Sequence, residues 1–126
     1  MENIHKEILG LMGKIDINCR DEGDVIVVDL AGQLDIYNSG DLELLVDAYI
    51  TRGYLKFAMN LEKVTYLDSS TISVFIQCMQ KLGKMAGKLV LVGLNGSPKE
   101  VFEMAKLNDV FSISAEVVDA LKQMED

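Results

Sequence analysis

The 126-residue sequence predicts a single α/β domain: a mixed, mainly parallel sheet with an antiparallel strand pair at its start and about four helices. Three observations predict it. Two β-type runs, Ile15 to Arg20 and Val25 to Ala31, are separated only by the turn Asp21-Glu22-Gly23-Asp24, the pattern of a hairpin. From there on, short apolar runs alternate with single helical stripes, the order of βαβ crossovers, and such crossovers join parallel strands. No linker, repeat or low-complexity stretch divides the chain, and its length suits one domain with its own core.

In chain order, residues 1–14 form an N-terminal extension and residues 15–126 the domain. In the extension Ile4, Ile8, Leu11 and Met12 stand near helical spacing, so a short, loosely packed amphipathic helix is expected, weakened by Gly10 and Gly13. Ile15 to Arg20 alternates apolar and polar, as a strand with one wet face does, and the β-branched run from Val25 pairs with it. Gly32 to Gly40 reads as a loop. The next helix carries Leu42, Leu45, Val46 and Tyr49 on one stripe, with Arg52 and Gly53 closing it. Tyr54 to Leu61 is nearly all apolar, the mark of a central strand.

After a loop at 63–71 comes a helix from about Ser70 to Ala86, presenting Ile72, Phe75, Ile76, Met79 and Leu82 and ended by Gly87. Lys88 to Leu94 is another buried strand. Ser97-Pro98-Lys99-Glu100 has the form of a capping box with proline at the first helical position, and its helix runs to about Leu107. Phe111 to Ser114 is a short strand. The last helix, from Ala115 to about Met124, is expected to be capped by Ser114 and to present Val117, Val118, Leu121 and Met124.

Composition excludes several functions. Twelve Lys and Arg stand against twenty Asp and Glu, a net charge of −8, which disfavours nucleic acid and anionic membrane because phosphate binding needs surplus cations. Cys19 and Cys78 form no metal-binding motif and read as buried reduced thiols; no metal and no cofactor is expected. The single histidine, His5, lies in the extension, so a histidine-based catalytic relay has no obvious place. No apolar run approaches the ~20 residues of a membrane helix, and the cytoplasm is the expected location.

One stretch invites a function. Between an apolar run ending at Leu61 and the helix beginning near Ser70 lie an acid and three consecutive hydroxyls, Asp68-Ser69-Ser70-Thr71. Capping a helix needs one such residue, and here there are four. A hydroxyl at a helix start sits where unpaired N–H groups and the helix dipole favour negative charge, so it can carry a phosphate. In an open α/β sheet, loops leaving the carboxyl ends of adjacent strands share a surface. Gln33, Asp35, Tyr37 and Asn38 would then stand beside Asp68, Ser69, Ser70 and Thr71.

Asp68-Ser69-Ser70 after a strand, with Gly32-Gln33-Leu34-Asp35 after an earlier one and Ile15-Asp16-Ile17-Asn18 opening the domain, resembles the STAS family of anti-sigma factor antagonists, from about Ile15 to the C-terminus. The resemblance implies a STAS-like domain and a non-enzymatic partner switch. Ser69, directly after the Asp, is the implied phosphorylation site, with Ser70 and Thr71 as alternative acceptors. The unphosphorylated form binds an ATP-dependent anti-sigma factor kinase, the phosphorylated form lets go, and a protein phosphatase resets it. Gln33, Asp35, Tyr37, Asn38, Asp68, Ser70 and Thr71 form the implied contact surface. The chain departs from the family pattern at Thr71 and Ser73, where glycines are usual.

Other readings stand beside this one. Asp35 also suits a turn residue, and Tyr37 and Tyr66 suit either partner anchors or packing over the sheet edge. A STAS scaffold that is never phosphorylated, or a subunit of a transport complex, fits the same residues. A response-regulator receiver needs an acidic pair after its first strand and a Lys after its last, whereas here Asp21-Glu22 lies in a hairpin turn and no Lys follows Ser114 until Lys122. A Ser69 nucleophile lacks a Gly-x-Ser-x-Gly elbow.

Overall fold

The hairpin forms where the turn residues place it. In the computed structural model, which describes residues 3–11 and 15–125, β1 (Asp16–Glu22) pairs antiparallel with β2 (Val25–Leu34). Gly23 takes the positive φ of +66° that the turn requires. Three further strands, β3 (Lys56–Leu67), β4 (Lys88–Val92) and β5 (Ser112–Ser114), add in parallel, giving the sheet order β1-β2-β3-β4-β5.

Because the parallel strands follow one another in one direction, right-handed crossovers must put the connecting helices on one face. Helices α2 (Ser39–Thr51), α3 (Ser69–Lys84) and α4 (Gly96–Met104) therefore share a core with Ile26, Val28, Phe57, Met59, Leu89 and Leu91, whose alternate neighbours point to the other face. That second face, with Val25, Val27, Ala58, Val90 and Val92, is covered by α5 (Val117–Gln123) through Ala120 and Met124. The alternation of inward residues along each strand is what lets one sheet serve two cores.

The N-terminal helix α1 (Ile4–Leu9) is docked more firmly than the sequence implied. Ile8 is fully buried in the main core, and Arg52 pairs with Glu7. His5 fixes the helix from both sides of its ring: Nδ1 lies 2.6 Å from the Tyr49 hydroxyl, and Nε2 pairs with the Asp21 carboxylate. Met12 and Gly13 lie outside the described residues. Cys19 and Cys78 are both buried and free, and burial pushes their thiols up to about 11 and about 12.

Helix ends show where local sequence was a good guide and where it was not. α2 closes as expected, with Gly53 at φ +95° and the Gly53 and Tyr54 N–H groups donating back to the Ile50 and Tyr49 carbonyls. α3 closes differently. The left-handed residue is Ala86, at φ 59°, and Gly87 N–H reaches the Leu82 carbonyl at 2.7 Å. Gly87 is needed for space, since a Cβ there would come within 2.4 Å of the Leu55 carbonyl oxygen.

The capping box at Ser97 does not form. Asn95 is the N-cap of α4, no side chain caps it, and Pro98 is the third helical residue, buried. The reason is the tight path after β4: Gly93 and Gly96 both have positive φ, and the Asn95 amide turns back to the Glu62 and Gly93 carbonyls. Helix α5 begins at Val117 after Glu116, not at Ser114, whose hydroxyl belongs to β5 and accepts from Gln123 Nε2 at 2.5 Å. Val118 is exposed. A single 3-10 turn at Leu107–Asp109 had no clear sequence signal. Among the described residues no helix is long and apolar enough to cross a membrane.

Candidate functional site

β3 is longer than its sequence pattern implied, and the extra length builds the site. It pairs with β4 only as far as Asn60, then continues to Leu67 against β2 alone. Two register shifts, between Asp29 and Ala31 and between Gly32 and Gln33, each place an extra residue in β3. Bulges of this kind bend a strand and raise its twist. The expected loops at 32–34 and 63–67 are therefore strand, with Leu34 opposite Leu67 and Gln33 opposite Tyr66. Leu34 and Leu67 face the core while Gln33 and Tyr66 are exposed, as the period of two requires.

This register sets the two candidate loops side by side. Asp68 N–H donates to the Leu34 carbonyl at 3.2 Å, so the residues after the two strands stay paired. Asp68 is the N-cap of α3, and its Oδ1 accepts from the N–H groups of Ser70 and Thr71 at 3.0 and 3.3 Å and from the Ser70 hydroxyl at 2.5 Å. The Ser70 hydroxyl first, then backbone N–H groups including that of Ile36, hold this carboxyl below the usual carboxylate range.

The four polar residues in a row thus divide their work. Asp68 caps, Ser70 supports the cap, and Thr71 turns inward and is fully buried. That corrects the expectation for Thr71: a fully buried hydroxyl presents nothing to a partner or a kinase in this conformation. Ser69, the first residue of α3, is exposed, and its hydroxyl has no hydrogen-bond partner among the described residues. It is the one hydroxyl of the run with no structural duty.

On the neighbouring loop, Asp35 closes a tight turn. Its Oδ1 accepts from Tyr37 N–H at 2.9 Å, and its own N–H donates to Asn38 Oδ1 at 2.9 Å. Asn38 also donates to the Gln33 carbonyl, so its side chain braces the turn and does not cap α2. The turn pushes Ile36 and Tyr37 outward, 71% and 79% exposed, so Tyr37 does not pack over the sheet edge. Sequence reasoning missed Ile36, because nothing local says which residue of a turn will stand proud. It also missed the bond from Ser39 Oγ to Ser70 Oγ at 3.3 Å, which joins residues 31 apart.

The rim is acidic. From Gln33 to Asp41 and from Val64 to Ser73 the chain carries Asp35, Asp41 and Asp68 and no Lys or Arg. An exposed alcohol next to Asp68 and the Asp35 turn can accept a phosphoryl group from an outside donor, and the added charge would alter the field that a partner meets.

Comparison with known proteins follows the same lines. A sequence profile described as the STAS domain matches residues 16–120. An anti-sigma-B factor antagonist of Listeria monocytogenes is 29% identical over 99 residues, spanning 79% of this chain and 86% of that protein. An anti-sigma factor antagonist from Mycobacterium paratuberculosis superposes with a TM-score of 0.79 at 23% identity, over 90% of this chain and 96% of the other. The Bacillus cell fate determinant SpoIIAA in its phosphorylated form gives 0.68 at 19% identity, over 87% and 100%.

Proposed function

The chain belongs to the STAS domain family, and on that premise we propose that it is an anti-sigma factor antagonist working as a phosphorylation-controlled partner switch in the cytoplasm. Unphosphorylated, it binds an ATP-dependent anti-sigma factor kinase through Gln33, Asp35, Tyr37, Asn38, Asp68 and Ser70. The kinase passes the γ-phosphoryl group of ATP to Ser69 Oγ; ADP leaves, and the hydroxyl proton goes to a base on the kinase. A protein phosphatase reverses the modification.

The observation that carries this reading is the position of Ser69. It is exposed, has no bonded duty, heads a 16-residue helix, and stands next to the acidic turn at Asp35. The helix start favours the phosphate, so the fold tolerates it. A docked partner does not: roughly −1.5 to −2 charges beside Asp68 and Asp35 would weaken binding by about 2–4 kcal/mol, or roughly 30- to 1000-fold. The glycine-to-threonine change at Thr71 does not obstruct Ser69, because Thr71 faces the core.

The test is labelling with ATP by an ATP-binding anti-sigma factor kinase from the same organism. Wild-type protein should take one phosphate and Ser69→Ala none. Full labelling of Ser69→Ala would move the site elsewhere and end this reading.

A further inference from the structure

The starts of α2 and α3 meet at a chain of hydroxyls. Ser39, the first residue of α2 and only 4% exposed, donates from Oγ to Ser70 Oγ; Ser70 spends its own proton on Asp68. The Ser39 N–H in turn donates to the Asp35 carbonyl at 2.8 Å, which ties the Asp35–Asn38 turn to the same helix start. Capping α3 does not require the Ser70 hydroxyl, since Asp68 already holds the N–H groups of Ser70 and Thr71. What the short bond to Asp68 does is fix the Ser70 rotamer so that a lone pair faces Ser39.

We propose that Ser70 is the positioning residue of a relay through which phosphate on Ser69 loosens the Asp35–Asn38 turn; this rests on Ser69 being the acceptor. A phosphate one residue away brings three strong acceptor oxygens to the place where the Ser70 hydroxyl and the first N–H groups of α3 point. Phosphate and the Asp68 carboxylate are both anionic and want the same donors. Ser70 turns its proton to the phosphate, its lone pair leaves Ser39, and a buried hydroxyl is left without a partner. The first turn of α3 already holds one such group, Thr71 Oγ1. Ser39 regains a partner only by moving, and the turn that carries the exposed Ile36 and Tyr37 moves with it. Phosphorylation then changes the shape of the contact surface as well as its charge.

Amide hydrogen exchange by NMR tests this on the full chain, with phosphoserine introduced at position 69 by genetic encoding so that no kinase is involved. In the wild-type background, phosphoserine should speed exchange at Tyr37, Asn38 and Ser39 about tenfold, the scale of one lost buried hydrogen bond. Ser70→Ala should show the faster exchange without phosphate and change little when it is added, while Ser70→Thr, which keeps the hydroxyl, should behave as wild type. Exchange at 37–39 that phosphoserine leaves unchanged, that shifts equally in wild type and Ser70→Ala, or that rises in step with β4 amides would overturn the relay. Failure of kinase labelling would instead remove Ser69 as the acceptor while leaving the measured coupling intact.

Discussion

Thr71 is fully buried and its hydroxyl has no hydrogen-bond partner among the described residues. An unpaired buried hydroxyl costs about 1–3 kcal/mol, so Thr71→Val, which keeps the branched shape, is expected to stabilise the protein by about 1 kcal/mol. The measurement is a urea midpoint that rises with an unchanged slope. A loss of that size would mean that the hydroxyl is bonded in solution. Asp68 makes a second prediction at this scale. Its folded carboxyl titrates below the unfolded one, held down by the Ser70 hydroxyl and the helix N–H groups. Its stabilising effect is therefore present above the ordinary carboxylate value of about 3.9 and disappears as pH falls through the lower folded value. Asp68→Asn still caps but does not titrate, so the stability gap between wild type and variant should close on acidification from about pH 5 to pH 2. A gap that stays constant across that range would remove the assignment.

Elements were legible wherever a pattern is local. The hairpin follows from Gly23 between two β-runs, the helices from their apolar stripes, and the end of α2 from Gly53. The errors lie where distant chain decides. The bulges in β3 come from its pairing with β2, and without them residues 63–67 read as loop. The Ser97 capping box matches its pattern in sequence, yet the backbone path through Gly93 and Gly96 overrides it. Gly87 looked like a helix stop, but contact with Leu55 is what demands it. α1 is the largest such case, because its weak local pattern gave no hint that Ile8 enters the core or that His5 joins Asp21 to Tyr49. Ile8→Ala should accordingly cost about 2–4 kcal/mol in chemical denaturation. A cost under about 0.5 kcal/mol, the range of surface substitutions, would show that α1 is not seated in solution.

At the scale of the molecule, the sheet order and the site are one fact. Consecutive strands joined by right-handed crossovers put α2 and α3 on the same face with their starts at the same rim, so the Asp35 turn and Ser69 become neighbours through strand order, although they are far apart in sequence. That Asp68-Ser69-Ser70 and the Asp35 turn matter was readable from their residue types; which hydroxyl is available was not, because burial of Thr71 and the duty of Ser70 are set by packing. A chain of net charge −8 with an acidic rim should also meet its partner faster at low salt, and association measured by stopped flow should slow as ionic strength rises. A rate indifferent to salt would argue against an electrostatically complementary partner.

The central claim, that the Ser69 hydroxyl is the group whose modification another protein reads, is tested most directly by intact-mass and fragment-mass measurement of the protein recovered from its native cell. The account predicts two populations differing by one phosphate, with that phosphate on Ser69. A single unmodified mass across growth and stress conditions, or a phosphate on any other residue, would contradict it.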